Sequence, residues 1–297
     1  HRKTKKQTHS TTTAFMQWLC CAFVFWFCGA VFASDALGLS WLQTQVRADG
    51  SLAHEGASAA LPIQSRAEVA TTLQGMAGTV PAALLNAIDQ TSGTSVEILA
   101  RKALAKQLTA PSTAYLDALA QQQNPDGGFG AQQGYASNVL DTAWALAAFT
   151  NEVNAYGGAV GQAIAWLIGA QQSDGQWRLA PDGDALVPTA LAVQALQPYR
   201  QNVVVAAALS KARAWLLAER DSALVWGSSL RNAHALMAVL PGLAQAATVQ
   251  AAVDALHTAQ RPDGSWEGDP YVTALALRAS VAASPPVTDP DPGSSTH

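Results

Sequence analysis

Charge and cysteine are scarce in this 297-residue sequence. Only 13% of the residues are charged, whereas 49% are hydrophobic, which provides enough apolar surface for one large core or two small ones. All three cysteines, Cys20, Cys21 and Cys28, lie in one apolar run near the N-terminus. The rest of the chain therefore has no disulfide, no thiolate ligand for zinc and no cysteine nucleophile.

The N-terminal segment carries its own signal. A basic head at residues 2–6 precedes an apolar run at 15–32, and Val-Phe-Ala stands at 31–33. This pattern predicts a signal peptide cleaved after Ala33. A retained membrane anchor is the alternative, because about 18 apolar residues approach the length that spans a bilayer. Both interpretations predict export of the chain from residue 34 onwards, to the periplasm, the cell surface or the exterior.

The exported part is expected to be acidic. Of 17 basic residues, four stand in the head, which leaves 13 against 21 acidic residues and a net charge of −8. Nucleic acid is therefore not an expected partner. Contact with a membrane is expected only through the N-terminal segment, if it is not cleaved.

A turn signal recurs along the chain. Asp-Gly follows an Ala- and Leu-rich segment at Asp49, Asp126, Asp174 and Asp263, and in the last three an aromatic residue follows, as in "QSDGQW". Aspartate and glycine favour tight turns. A fifth segment, "WLLAERDSALVW" from residue 215, keeps two tryptophans but not Asp-Gly, and a degenerate helix pair over 81–108 brings the number of units to six.

Each unit reads as two helices joined by this turn. The second helices, such as "DTAWALAAF" and "PTALAVQAL", are apolar almost all round, as buried helices are. Strand signals are nearly absent. Six helical hairpins form either an open solenoid or a closed ring, and the small inner residues favour an all-α double ring, an α/α toroid, over residues 34–284. Residues 285–297 read as a disordered linker, from which we expect a further domain downstream.

The repeated unit resembles a known one. An aromatic-Leu pair, Gln, Asp-Gly-x-Trp and then "DTAWAL" are similar to the QW-type repeat of squalene–hopene cyclases and to the repeats of protein prenyltransferase β-subunits. The resemblance covers about 37–284 and implies the α/α toroid of that superfamily. It also implies that the glutamine bridges backbone groups and that the aromatic residue packs against the turn. It implies less about activity, because function resides in sites on a fold.

Residues that those relatives use for catalysis are missing. A protonating cyclase needs an Asp-x-Asp-Asp cluster, and the nearest match, Asp182 and Asp184 in "PDGDA", lacks the second adjacent aspartate. An Asp-rich magnesium box and the zinc-binding cysteine of prenyltransferases are also missing. We therefore expect no metal and no cofactor, and we disfavour an enzyme without dismissing one.

Polar residues on the second helices mark a candidate site at the mouth of the predicted inner barrel. Aligned near the helix starts are Ser65, Asp141, Pro188, Arg231 and Val272, and one turn further in are Glu68, Trp144, Leu191, His234 and Leu275. Acid–base chemistry would fall to Asp141, His234, Glu68 and Arg231. The expected ligand-binding residues are Trp144, Tyr271, Glu97 and Asn232. As alternatives, Asp141 caps its helix, and His234 and Glu68 are satisfied core residues.

The sequence thus predicts an exported toroid that binds a small molecule, a glycan or a protein at the mouth of its inner barrel, without catalysis. One alternative is an enzyme, similar to a divergent terpene or squalene cyclase or to a polysaccharide lyase or hydrolase. Another is a structural spacer, which predicts a barrel filled by side chains.

Overall fold

A computed structural model describes residues 34–109 and 113–284. Twelve α-helices lie in those ranges, in six pairs. The first helices of the pairs are α1 (34–45), α3 (Ala82–Asp89), α5 (Ala114–Ala120), α7 (Val153–Ala170), α9 (Val203–Ala218) and α11 (Gln250–Thr258). The second helices are α2 (Pro62–Ala77), α4 (Val96–Gln107), α6 (Val139–Phe149), α8 (Leu186–Leu196), α10 (Ser229–Val239) and α12 (Pro270–Ala283). Short 3-10 helices span Thr150–Glu152, Gln197–Tyr199, Leu240–Gly242 and Ala246–Val249.

The second helices close into a ring. Each packs on the next from α2 to α12, and α12 returns to α2. At this seam Thr72 Oγ1 donates to the Ala274 carbonyl at 3.1 Å. Fully buried alanines such as Ala145 and Ala235 let neighbouring helices approach closely. In the described ranges we find isolated β-bridges but no strand, so the all-α prediction is confirmed and the closed ring is favoured over the open solenoid.

The Asp-Gly turns tie neighbouring outer helices together. In three of the four Asp-Gly turns, a glutamine amide donates both to a carbonyl of its own turn and to a carbonyl of the next outer helix. The pairs of acceptors are Gly127 and Ala159 for Gln123, Gly175 and Ala208 for Gln171, and Gly264 and Ser34 for Gln260. The last pair joins α11 to α1, so these bonds also close the outer ring, and the glutamine role that the resemblance implied is confirmed.

The turn also needs its glycine, because the turn backbone lies against the backbone of the next outer helix. Gly175 has a φ of 101°, and a Cβ there would lie 2.6 Å from the Lys211 carbonyl oxygen of α9. In the fifth unit, which has no Asp-Gly, Leu224 occupies the glycine position and takes a φ of 62°. That unit keeps the turn geometry in the left-handed region, which is unfavourable for a residue with a Cβ.

A second set of bonds ties the four turns that carry an aromatic residue to their own second helices. The amide of the turn aromatic donates to a side-chain oxygen at 2.7–2.9 Å. The pairs are Phe129 with Thr142, Trp177 with Thr189, Trp226 with Asn232 and Trp266 with Thr273. The indole Nε1 atoms of the three tryptophans also donate back to their first helices, at Leu167, Leu216 and Leu256. These bonds explain why the fifth unit keeps Trp226 without Asp-Gly.

Two predictions concern residues outside the described ranges. The signal peptide or anchor at 1–33 and the linker at 285–297 remain predictions. Within the ranges that are described, no helix is both long and apolar enough to cross a membrane.

We predict that Thr189→Val destabilises the domain by about 1–3 kcal/mol, because the buried Trp177 amide loses its acceptor while the side-chain shape is kept. Thr258→Val is the matched control, since its hydroxyl only donates to the Asp254 carbonyl within an exposed stretch of α11, so no buried amide loses an acceptor. Urea unfolding followed by circular dichroism measures both variants. Equal stabilities would contradict the assignment.

Candidate functional site

A cavity of 360 Å³ lies inside the inner ring. The residues aligned one turn into the second helices, Glu68, Trp144, Leu191, His234 and Leu275, all line it. The degenerate unit contributes Arg101 from α4. The residues that the sequence alignment of the second helices placed at one level therefore meet around the same cavity.

The cavity opens at the end of the barrel opposite to the one expected. Sequence reasoning placed the mouth near the starts of the second helices, but the wall continues toward their C-terminal ends, to Gln107, Gln194 and the exposed Asn151. Glu68 and His234, by contrast, are only 4% and 3% exposed. These buried residues form the floor of the cavity, and the amide side chains form its rim.

Glu68 is the centre of the floor. One carboxylate oxygen accepts from Arg101 Nη1 at 3.0 Å, and the other accepts from Arg278 Nη1 at 2.5 Å. Burial alone would raise the pKa of Glu68, but the two guanidinium groups outweigh it and hold the pKa below its usual range. Glu68 is therefore an ionised carboxylate. It carries no proton that it could donate as a general acid.

Arg101 is held on three sides. Its Nε donates to Glu97 at 2.9 Å, and its guanidinium carbon lies 3.9 Å from the ring centroid of Trp144, a cation–π contact. Glu97 also accepts from Gln64 at 2.8 Å. Two acidic and two basic side chains, Glu68, Glu97, Arg101 and Arg278, thus compensate one another's charge within the floor.

His234 is a buried, neutral imidazole. Burial, with smaller contributions from Arg278 and Arg101, lowers its pKa to about 4, although nearby Glu68 opposes the shift. Its Nδ1 atom is buried and has no hydrogen-bond partner among the described residues. The side chain lines the cavity, so His234 retains unused hydrogen-bonding capacity there.

Two of the expected ligand-binding residues lie beside the cavity instead of lining it. Glu97 is the partner of Arg101, as described above. Tyr271 is adjacent to the same cluster, and burial first, then the charge of Glu68, raises its pKa to about 12. Glu97 therefore contributes to the charge balance of the floor, whereas Tyr271 lies beside it as a neutral phenol.

Three further candidates have other partners. The N-terminal cap of α6 is Asn138 and not Asp141. Asp141 bonds to Asn138 through both its backbone amide and its carboxylate. Arg231 pairs with Asp184 at 2.8 Å, and Asn232 accepts the Trp226 amide. Of the four groups considered for acid–base chemistry, the structure brings together only Glu68 and His234.

The two arginines of the floor were not predicted from the sequence. Arg278 follows Leu275 by three residues, so extending the aligned level by one more turn adds Arg278, along with the wall residues Thr71 and Gln194. Arg101 lies in the degenerate unit, which had no turn motif to align. Its position four residues after Glu97 was the available signal.

In the described ranges, no group of three or more His, Cys, Asp or Glu side chains is arranged to hold a metal ion. The closed double ring with a cavity at its axis places this chain in the class of α/α-toroid proteins, as the resemblance implied.

No family model matches the chain. No curated protein matches it either. Several solved structures, in contrast, match the chain. The type II terpene cyclase MstE from Scytonema, in its apo form, is 16% identical with a TM-score of 0.64, and the match covers 85% of this chain and 98% of that one. An alpha-1,6-mannanase from Salegentibacter is 11% identical with a TM-score of 0.65, covering 85% and 99%.

A third structure is longer than this chain. The ent-copalyl diphosphate synthase from Streptomyces platensis is 20% identical with a TM-score of 0.60, and the match covers 74% of this chain but only half of the synthase. Identities this low establish the shared α/α-toroid fold. The chemistry of each protein depends on its own site residues.

We predict that Glu68→Gln destabilises the domain by about 3 kcal/mol, because Arg101 and Arg278 lose their shared buried counter-charge. Asp184→Asn removes the acidic partner of Arg231 in an exposed pair, and we expect it to cost about 1 kcal/mol or less. Chemical denaturation at pH 7 compares the two. A loss for Glu68→Gln no larger than that for Asp184→Asn would contradict the prediction.

We also predict that stability falls as the pH drops from about 6.5 toward 4. His234 has a folded pKa of about 4 and an ordinary value of 6.5, so the unfolded chain binds more protons in this window. Its contribution is a loss of about 2 kcal/mol between pH 7 and pH 5.

Denaturation of the parent chain and of His234→Gln at both pH values isolates this contribution. The variant should lose less stability than the parent by that amount. Thr258→Val, which changes no titratable group, should lose as much as the parent. If His234→Gln and the parent lose the same amount, His234 is not a buried neutral group.

Proposed function

We propose that the toroid is a binding module that holds a small molecule in the cavity of its inner ring, without catalysis. The observation that carries the proposal is an open, largely apolar cavity whose charged floor groups are already paired with one another. Its volume of 360 Å³ lies within the range of small-molecule sites. A structural spacer would instead have a filled barrel.

The wall favours a small molecule over a glycan or a protein. Nine of the eighteen lining residues are alanine or leucine, namely Ala67, Leu104, Ala105, Leu108, Ala143, Ala147, Leu191, Ala195 and Leu275. A glycan would leave its hydroxyl groups unpaired against these side chains, at a cost in free energy. A protein would need a protruding segment to enter the ring.

The protonation states favour binding over catalysis. A cyclase of the protonating type needs a carboxylic acid, whereas Glu68 is held as the carboxylate by two arginines. His234 is neutral and can only accept a proton or share one in a hydrogen bond. The floor therefore has no group that supplies a proton at neutral pH.

An enzyme is the second candidate, because one feature favours it. A neutral imidazole lies in the cavity near a carboxylate, as a general base requires. The toroids of similar fold include a terpene cyclase and a mannanase. A catalytic role for His234 would require turnover of a ligand that binds in the cavity, with loss of turnover in His234→Gln.

We further infer that the module acts outside the cytoplasm, on the basis of the basic and apolar pattern of residues 1–33. Expression with a reporter fused after residue 284 tests this inference. Cytoplasmic retention of the reporter would overturn it.

The binding proposal predicts that a thermal-shift screen of polyprenyl compounds, oligosaccharides and corrinoids yields a stabilising ligand. Saturation at 100 times Kd adds about 2.7 kcal/mol to the free energy of unfolding. Ala147→Phe should abolish the shift, because the new ring occupies the cavity. Ala259→Phe adds the same ring at an exposed position of the outer layer and should leave the shift unchanged.

A stabilising ligand whose effect survives Ala147→Phe would show that it binds elsewhere. If no compound class stabilises the parent chain, the small-molecule proposal fails for those classes. Turnover of a bound compound, followed by mass spectrometry of the reaction mixture, would replace the binding module by the enzyme.

A further inference from the structure

We propose that the ligand of this cavity is an uncharged amphiphile, whose hydroxyl head bonds to His234 on the floor and whose aliphatic tail extends to the mouth. The proposal rests on the small-molecule function argued above and specifies its chemical class. It combines the charge balance of the floor, one unpartnered buried atom and a second cavity that adjoins the first.

The charge balance argues against a charged ligand. Both oxygens of Glu68 are engaged by arginines, and Arg101 is engaged by Glu97 as well. These two acidic and two basic side chains make the floor neutral as it stands. An anionic or a cationic head group would add an unbalanced charge to this buried cluster, which is unfavourable.

The unpartnered atom argues for a hydrogen-bonding head group. In the described part of the chain, the buried side-chain atoms without a partner are Asp35 Oδ1, Gln122 Oε1 and His234 Nδ1. Of these three residues, only His234 lines the cavity. Its Nδ1 atom is enclosed by protein, so a ligand reaches the ring through Nε2, which also makes no hydrogen bond with a described residue. Buried polar groups in folded proteins are nearly always paired, and a hydroxyl group, which both donates and accepts, suits Nε2 in either tautomer of the ring.

The second cavity argues for a tail. It has a volume of 550 Å³ and shares Thr71, Gln194 and Arg278 with the first. Its apolar lining includes Met76, Val193, Met237 and Val281. Methionine side chains adapt to flexible apolar ligands.

The path from the floor to this second cavity is long enough for an alkyl chain. It follows α2 from Glu68 to Met76, which is about 12 Å along the helix. A head group at His234 would therefore leave its tail beside the two methionines, where apolar surface is buried.

Three compounds of equal length test the head group. Calorimetric titration of the full chain at pH 7 uses decanol, decanoate and decylammonium below their aggregation concentrations. We expect decanol to bind at least tenfold more tightly than either charged compound. Equal or tighter binding of a charged compound, or no binding of decanol, overturns the proposal.

Variants test the contact with His234. We expect His234→Leu to weaken decanol binding about tenfold and His234→Gln to restore part of the loss, because the amide again offers a neutral hydrogen bond. His257→Gln, outside the cavity, should bind decanol like the parent. Unchanged decanol binding by a folded His234→Leu variant overturns the role of the histidine.

The tail is tested with a shorter alcohol. Met237→Trp fills the second cavity and should remove the preference for decanol over hexanol while hexanol still binds. A preference that persists overturns the placement of the tail.

The outcomes also separate this inference from the proposed function. If no amphiphile binds but a screened compound stabilises the parent and not Ala147→Phe, the cavity is a binding site for another class and only the amphiphile inference fails. If nothing binds in either experiment, both fail.

Discussion

The inner ring depends on the two ion pairs that the carboxylate of Glu68 forms with arginines. Glu68 stands on α2, the first helix of the ring, and pairs with Arg101 of α4 and with Arg278 of α12. It therefore joins α2 to both of its neighbours, across the seam where the last helix meets the first. Because three ionised groups are buried or half-buried here, each must keep its partner, and this requirement gives the cavity a polar floor under apolar walls.

The outer layer and the cavity are built by different parts of the repeat. The turn motif forms the loops that precede the second helices, and these loops are long, as at 121–138 and 171–185. Two connections at the other end, 150–152 and 197–202, are short. The cavity extends toward that C-terminal end, where Gln107, Gln194 and Asn151 line it. The most conspicuous motif of the sequence is thus structural and lies away from the mouth.

Toroids of similar fold include a terpene cyclase and a mannanase, and the ring explains this range. It presents six inner helices around one axis, and the side chains at each level can change without altering the turns that hold the helices. In this chain the floor holds a fully paired carboxylate and a neutral imidazole. On that combination rests the proposal that the cavity binds a neutral ligand and transfers no proton to it.

The sequence by itself determined the hairpins, because the signals are local: a turn motif, a glutamine a few residues before it and an apolar second helix. It also determined which residues share a level with Glu68, since helical periodicity relates equivalent positions in every unit. The tertiary structure alone decided which end of the barrel is open and which charges meet. The partners of Glu68 lie 33 and 210 residues away, and Asn232, which we had assigned to a ligand, accepts a backbone amide that only the folded turn presents. Such pairings depend on ring closure and loop length, which no local pattern encodes.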